Sequence, residues 1–158
     1  MNQEATDIQN WLGAMITASE ELATSMLGMD DFEMLAIKDK LPDRKNAAYI
    51  ALVGQSTAVQ IGLGASVEGC QQLARSLMCM EPEEEDLPED EVADAISEIA
   101  NILAGQVKTI ISLGDEKINL GLPMFIRGVM SVSDTTQAVS ADVRLGNIPA
   151  TLLVLKSA

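Results

Sequence analysis

Residues 88–111 carry the longest unbroken helical pattern in the chain, and that pattern constrains every other element. Val92, Ile96, Ile99, Leu103, Val107 and Ile110 recur every three or four positions. At about 100° per residue they line one side of a helix of roughly six turns. An apolar seam of this length is stable only when laid against a second layer. Alternating apolar runs can supply that layer as a sheet. Strands are expected at residues 33–38, 47–53, 57–63, 118–127, 136–145 and 150–156.

Two shorter helices complete the set. Ile8, Trp11, Leu12, Met15, Ile16, Leu22, Ala23 and Met26 mark a helix over residues 7–27. Thr6 and Gln9 resemble a capping box at its start, and Gly28 supplies a stop. Ser66 is placed to cap a helix over residues 66–79 with the stripe Val67, Cys70, Leu73, Ala74 and Leu77. The expected fold is α+β, a single domain over residues 1–158 with a mostly antiparallel six-stranded sheet covered by three helices. Helix plus three strands occurs twice, a pseudo-repeat without internal sequence identity. The tract Glu81-Pro-Glu-Glu-Glu-Asp-Leu-Pro-Glu-Asp-Glu91 reads as a solvated linker over residues 81–87. It feeds the long helix, since acidic residues and an early proline suit a helix N-terminus.

Charge and residue usage narrow the chemistry. A formal charge of −14 argues against nucleic-acid backbones and anionic membrane surfaces, both polyanions. The opening Met-Asn-Gln-Glu-Ala-Thr-Asp is unlike a secretory signal, and no apolar run approaches the roughly 18 residues of a membrane span. The expected location is the cytoplasm. The chain has no histidine, which excludes Ser-His and Cys-His catalysis, histidine proton shuttles and most zinc sites. No metal site is expected. Cys70 and Cys79 suit neither a metal site nor a disulfide scaffold and are expected as two buried thiols. Gly62-Leu-Gly64 lacks the third glycine and the Lys-Ser/Thr of a phosphate loop, so it reads as a strand end bending into a helix. Gly64-Ala-Ser66 lacks the spacing of a nucleophile elbow, which leaves Ser66 a cap.

Opposite the long helix's seam, Asp94, Glu98, Asn101, Gly105, Lys108 and Ser112 fall within about ±40° of one line. Every surface helix has a polar face, but two residues here are poor choices for one. Asn101 competes for backbone hydrogen bonds in mid-helix, and Gly105 costs about 1 kcal/mol relative to alanine. A docking surface accounts for both. Glycine admits a partner's backbone, while glutamate and asparagine present an anion beside a bifunctional amide.

The series Asp94-x-x-x-Glu98-x-x-Asn101-x-x-x-Gly105 resembles the signature helix of the chemotaxis phosphatases of the CheC/CheX/FliY type. In that family a proline follows some twenty residues later; Pro123 fills the position at a spacing one residue shorter than usual. Pro123-Met-Phe-Ile-Arg-Gly128 and the hairpin-then-helix of residues 47–80 are also similar. Many members carry a second such helix. The nearest match here, Asp7-Ile-Gln-Asn10, has a shorter carboxylate and Ala14 in place of glycine, so the second site is expected to be absent. The chain is closest to single-site CheX-like proteins, which pair through their sheets, and the resemblance implies a homodimer.

The resemblance implies a phosphatase acting on the aspartyl phosphate of a CheY-type response regulator. Such an acyl phosphate is already activated and its transition state is loose, so orienting water and stabilising charge suffice. That accords with the missing histidine. The implied catalytic residues are Asn101, which would orient an in-line water, and Glu98, which would pair with the regulator's active-site lysine. Asp94 and Gly105 would serve partner binding, and Pro123 would shape the strand beside the helix; Lys108 is added to the partner-binding set on helical spacing alone, as a cation that offsets repulsion between two acidic proteins. No cofactor of its own is implied; Mg²⁺ would be held by the partner. The competing expectation is a non-catalytic adaptor that binds a receiver domain, and a further one is a dimerisation module with an incidental Glu/Asn face.

Overall fold

Period-two alternation in the apolar runs places one face of seven strands against three helices. The structure, a computed structural model, describes residues 8–42, 46–55, 57–81, 85–111, 117–128 and 132–157. In chain order the elements are α1 (Ile8–Ser25), β1 (Phe32–Lys38), β2 (Asn46–Val53), β3 (Ala58–Ala65), α2 (Val67–Leu77), α3 (Glu89–Ile110), β4 (Asn119–Leu120), β5 (Met124–Ile126), β6 (Thr136–Leu145) and β7 (Ile148–Ser157). The sheet order is β1-β6-β7-β3-β2-β4, with β5 also pairing β2, and every pairing is antiparallel.

Seven strands replace the expected six because the run at 118–127 is broken in two. Gly121 still follows the β4 register, its N–H reaching the Ala51 carbonyl at 2.8 Å, but Pro123 has no N–H to give a ladder and the pairing resumes at Met124 shifted by one residue. Both pieces lie along β2, with Leu52 opposite Leu120 and Tyr49 opposite Met124. The pseudo-repeat is present in the topology. Exchanging α1-β1-β2-β3 with α3-β4/β5-β6-β7 reverses the strand order onto itself, relating the halves by an approximate two-fold between β7 and β3.

The core lies between helices and sheet. Trp11, Met15 and Leu22 of α1 and Ile96, Ile99 and Leu103 of α3 pack with Ile50, Leu52, Ile61, Leu63, Leu152 and Val154. A smaller cluster on the other face gathers Ala47, Tyr49, Leu153 and Leu155. Gly62-Leu-Gly64 lies in the last part of β3, which runs through Ala65 into the Ser66 cap of α2 as expected, and Gly62 stands opposite Tyr49. A Cβ there would lie 2.8 and 2.9 Å from the Tyr49 ring and 3.2 Å from the Ala48 carbonyl oxygen. Gly62→Ala must displace a buried ring, and it is expected to lower stability by about 1–3 kcal/mol in a denaturant titration. Unchanged stability would mean that the ring yields freely.

Three other expectations change. The Ser66 hydroxyl caps α2, accepting from the Gly69 N–H at 3.0 Å, but the helix ends at Leu77. Cys79 falls beyond that end at φ 58° and is exposed, so only Cys70 is a buried thiol. The linker is also less free than its charge implies. Gln71 of α2 donates from Nε2 to the Leu87 carbonyl and accepts the Leu87 N–H at Oε1, both at 2.9 Å. Arg75, only 5% exposed, pairs with Asp86. Two side chains of α2 therefore hold the chain immediately before Pro88, the N-cap of α3. The expected capping box at Thr6 lies outside the described residues. α1 ends at Ser25, and Gly28 adopts φ 64° three residues on.

Candidate functional site

α3 begins without a side-chain cap, and Glu89, Asp90 and Glu91 in its first turn oppose the positive end of the helix dipole. Lys108 serves the other end. Val92, Ile96, Ile99, Leu103 and Val107 are buried as their spacing requires, while Ile110, at the last turn, is exposed. Burial of the seam fixes the helix's rotation. Asp94, Glu98, Asn101 and Lys108 are therefore exposed together on the opposite line, with Gly105 partly so. Ser112 lies outside the described residues.

No hydrogen bond or ion pair joins the side chain of Asp94, Glu98, Asn101 or Lys108 to another described residue. The carboxylate and the amide, one turn apart, keep their full hydrogen-bonding capacity for something outside the fold. Beside them a Cβ on Gly105 would meet nothing within 4 Å beyond its own helix. Packing gives no reason for that glycine.

β5 flanks this helix. Arg127 Nε approaches Glu89 Oε2 at 3.9 Å, and its guanidinium lies 5.3 Å from the Phe125 ring centroid. The end of this strand segment thus meets the start of α3, and the end of α3 leads back to β4, so the two run antiparallel. Pro123 is partly buried between β4 and β5. On α1, Asn10 is exposed but Ala14 is buried, so the position a glycine would take does not face solvent; Asp7 lies outside the described residues. Gln71 escaped the sequence reading although a signal existed: a glutamine within the buried stripe of Cys70 and Ala74 demands polar partners. Among the described residues no group of three or more Cys, Asp or Glu side chains could hold a metal ion, and no helix is long and apolar enough to cross a membrane.

A family model described as chemotaxis phosphatase CheX matches residues 47–141, more than half of the chain and including all of α3. The chain belongs to the CheX family. Among solved structures, the CheX chemotaxis protein of Desulfovibrio desulfuricans is 14% identical with a TM-score of 0.74, covering 92% of this CheX-family chain and 99% of that one. A CheC-like superfamily protein of Shewanella sp. PV-4 is 16% identical with a TM-score of 0.74 over 100% of both chains. The chain in the CheX-CheY-BeF3-Mg²⁺ complex of Borrelia burgdorferi is 18% identical with a TM-score of 0.69, over 92% of this chain and 96% of that one. At these identities the likeness is one of fold. No curated protein matches the sequence.

Proposed function

We propose that this CheX-family chain hydrolyses the aspartyl phosphate of a CheY-type response regulator. The observation that carries the reading is the pair Glu98 and Asn101, exposed and unpartnered among the described residues on a helix whose opposite side is locked into the core. The Borrelia burgdorferi relative, solved with CheY, BeF3 and Mg²⁺, supports the choice of partner. On docking, the Asn101 amide accepts a hydrogen bond from a water and donates to a phosphoryl oxygen, holding the water in line with the bond to be broken. The water oxygen bonds to phosphorus as the P–O bond to the aspartyl group breaks. Inorganic phosphate departs, the regulator's carboxylate is restored, and the water's proton goes to phosphate or solvent.

Glu98 pairs with the regulator's active-site lysine and orients α3 on it. Asp94 and Lys108 contact the partner on either side, Gly105 admits its backbone, and Pro123 ends the β4 ladder beside the helix. The chain needs no cofactor of its own; Mg²⁺ belongs to the regulator. In the same reading it works as a homodimer in the cytoplasm and binds neither nucleic acid nor membrane.

The test is decay of a phosphorylated regulator with and without the protein. Faster phosphate release supports the reading, and binding without faster release would replace it by an adaptor role. Glu98→Ala is expected to raise the KM for phosphorylated regulator at least tenfold, about 1.4 kcal/mol of docking. A KM within twofold of the wild type would refute the ion pair with lysine.

A further inference from the structure

We infer that the cavity between β1, residues 39–42 and the β6–β7 hairpin is a binding site for a small organic anion with an apolar body. The site is independent of the function proposed above, because it lies on the face of the sheet turned away from α3. Ser140 and Asp142 of β6 alternate with Val139, Ala141 and Val143, which belong to the helix-side core, so their side chains stand on the opposite face. There Lys38, Lys40, Leu41, Pro42, Ser140 and Asp142 line a cavity of about 370 Å³, a size typical of small-molecule sites. The Ser140 hydroxyl donates to the Lys40 carbonyl at 2.7 Å and ties residues 39–42 down as one wall.

The fold accounts for the space but not for the charge in it. The approximate two-fold that exchanges β6–β7 with β2–β3 gives the cavity a counterpart at the other hairpin. Ala51, Val53, Ala58, Gln60 and Leu155 line that counterpart, of about 380 Å³, and no residue around it is ionisable. Basic residues are also scarce in this chain. Lys38-Asp-Lys-Leu-Pro-Asp-Arg-Lys45 nevertheless holds four of the 10, against a formal charge of −14 overall.

Within the cavity the charges do not cancel. Asp142 Oδ2 meets Lys38 Nζ at 3.0 Å, and its Oδ1 accepts from the Thr151 hydroxyl at 3.2 Å. The Lys40 ammonium has no ion pair or hydrogen bond. The lining therefore carries two ammonium groups and one carboxylate, and the surplus cation selects an anionic group. A register shift in β1 between Met34 and Ala36 shapes the apolar side. Under strict alternation Leu35 and Lys38, three residues apart, would lie on opposite faces; the shift brings both to this cavity. Leu35, Leu41 and Pro42 then offer the apolar surface for the ligand's body.

The experiment titrates the intact protein in a calorimeter with 2-naphthoate, its neutral isostere 2-naphthamide, and inorganic phosphate. The expected result is one 2-naphthoate per chain with a Kd of about 1 mM or below, and binding at least tenfold weaker for the amide and for phosphate. Lys40→Met removes the charge and keeps most of the stem, and is expected to weaken 2-naphthoate at least tenfold with Tm unchanged. Gln60→Met, in the counterpart cavity, is expected to change nothing. Backbone amide shifts of the wild type locate the ligand without any variant, and should move at residues 35–41 and 140–142. Equal binding of 2-naphthoate and its amide, wild-type affinity in Lys40→Met, or shifts confined to other residues would each overturn the site. So would an absence of 2-naphthoate binding up to about 10 mM.

Discussion

Replacing Asn101 with alanine is expected to cut stimulated dephosphorylation at least a hundredfold while leaving the protein as stable as before, or slightly more so. The side chain is exposed and has no partner among the described residues, so its removal exposes no buried polar group. Alanine is the better helix former, by up to about 0.7 kcal/mol. A hundredfold loss corresponds to about 2.7 kcal/mol of transition-state stabilisation, in the range expected for one oriented water and one hydrogen bond to developing charge. The measurement is phosphate release from the regulator at saturating concentrations, with thermal unfolding in parallel. Loss of rate with loss of fold would assign Asn101 to structure. Full activity would remove it from the mechanism.

What could be read from the sequence was what a single element determines. The seam of α3 and its opposite line depend only on the helical period, so Asp94, Glu98, Asn101 and Lys108 could be grouped before any tertiary contact was known. The Ser66 cap was legible for the same reason. Gln71 and Leu87 meet across sixteen residues, and no local pattern says that the acidic linker ends on α2. That Gly62 ends a strand was legible, but the reason for a glycine there, the Tyr49 ring, lies on the neighbouring strand. The two-fold arrangement of the halves was legible as an order of elements and invisible as identity, since a sheet conserves alternation of apolar positions without conserving particular residues.

Gly105 and Gly62 set one residue type against itself, and that contrast yields the second large effect. At Gly62 a Cβ would strike Tyr49 at 2.8 Å, whereas at Gly105 it would meet nothing within 4 Å beyond its own helix. A leucine at Gly105 should therefore fit the isolated protein and strengthen α3, because leucine exceeds glycine in helix propensity by about 0.8 kcal/mol. For a chain of this size that is a rise in Tm of about 2–3 °C. The same leucine would project from the face that carries Asn101, one turn further on, and hold a partner's backbone away from the amide. Gly105→Leu is accordingly expected to lower kcat/KM for the phosphorylated regulator at least a hundredfold while raising Tm. Opposite signs in the two measurements are what an approach point produces. A higher Tm with unchanged kcat/KM would show that nothing comes close to Gly105, and a lower Tm would show that the glycine serves the fold.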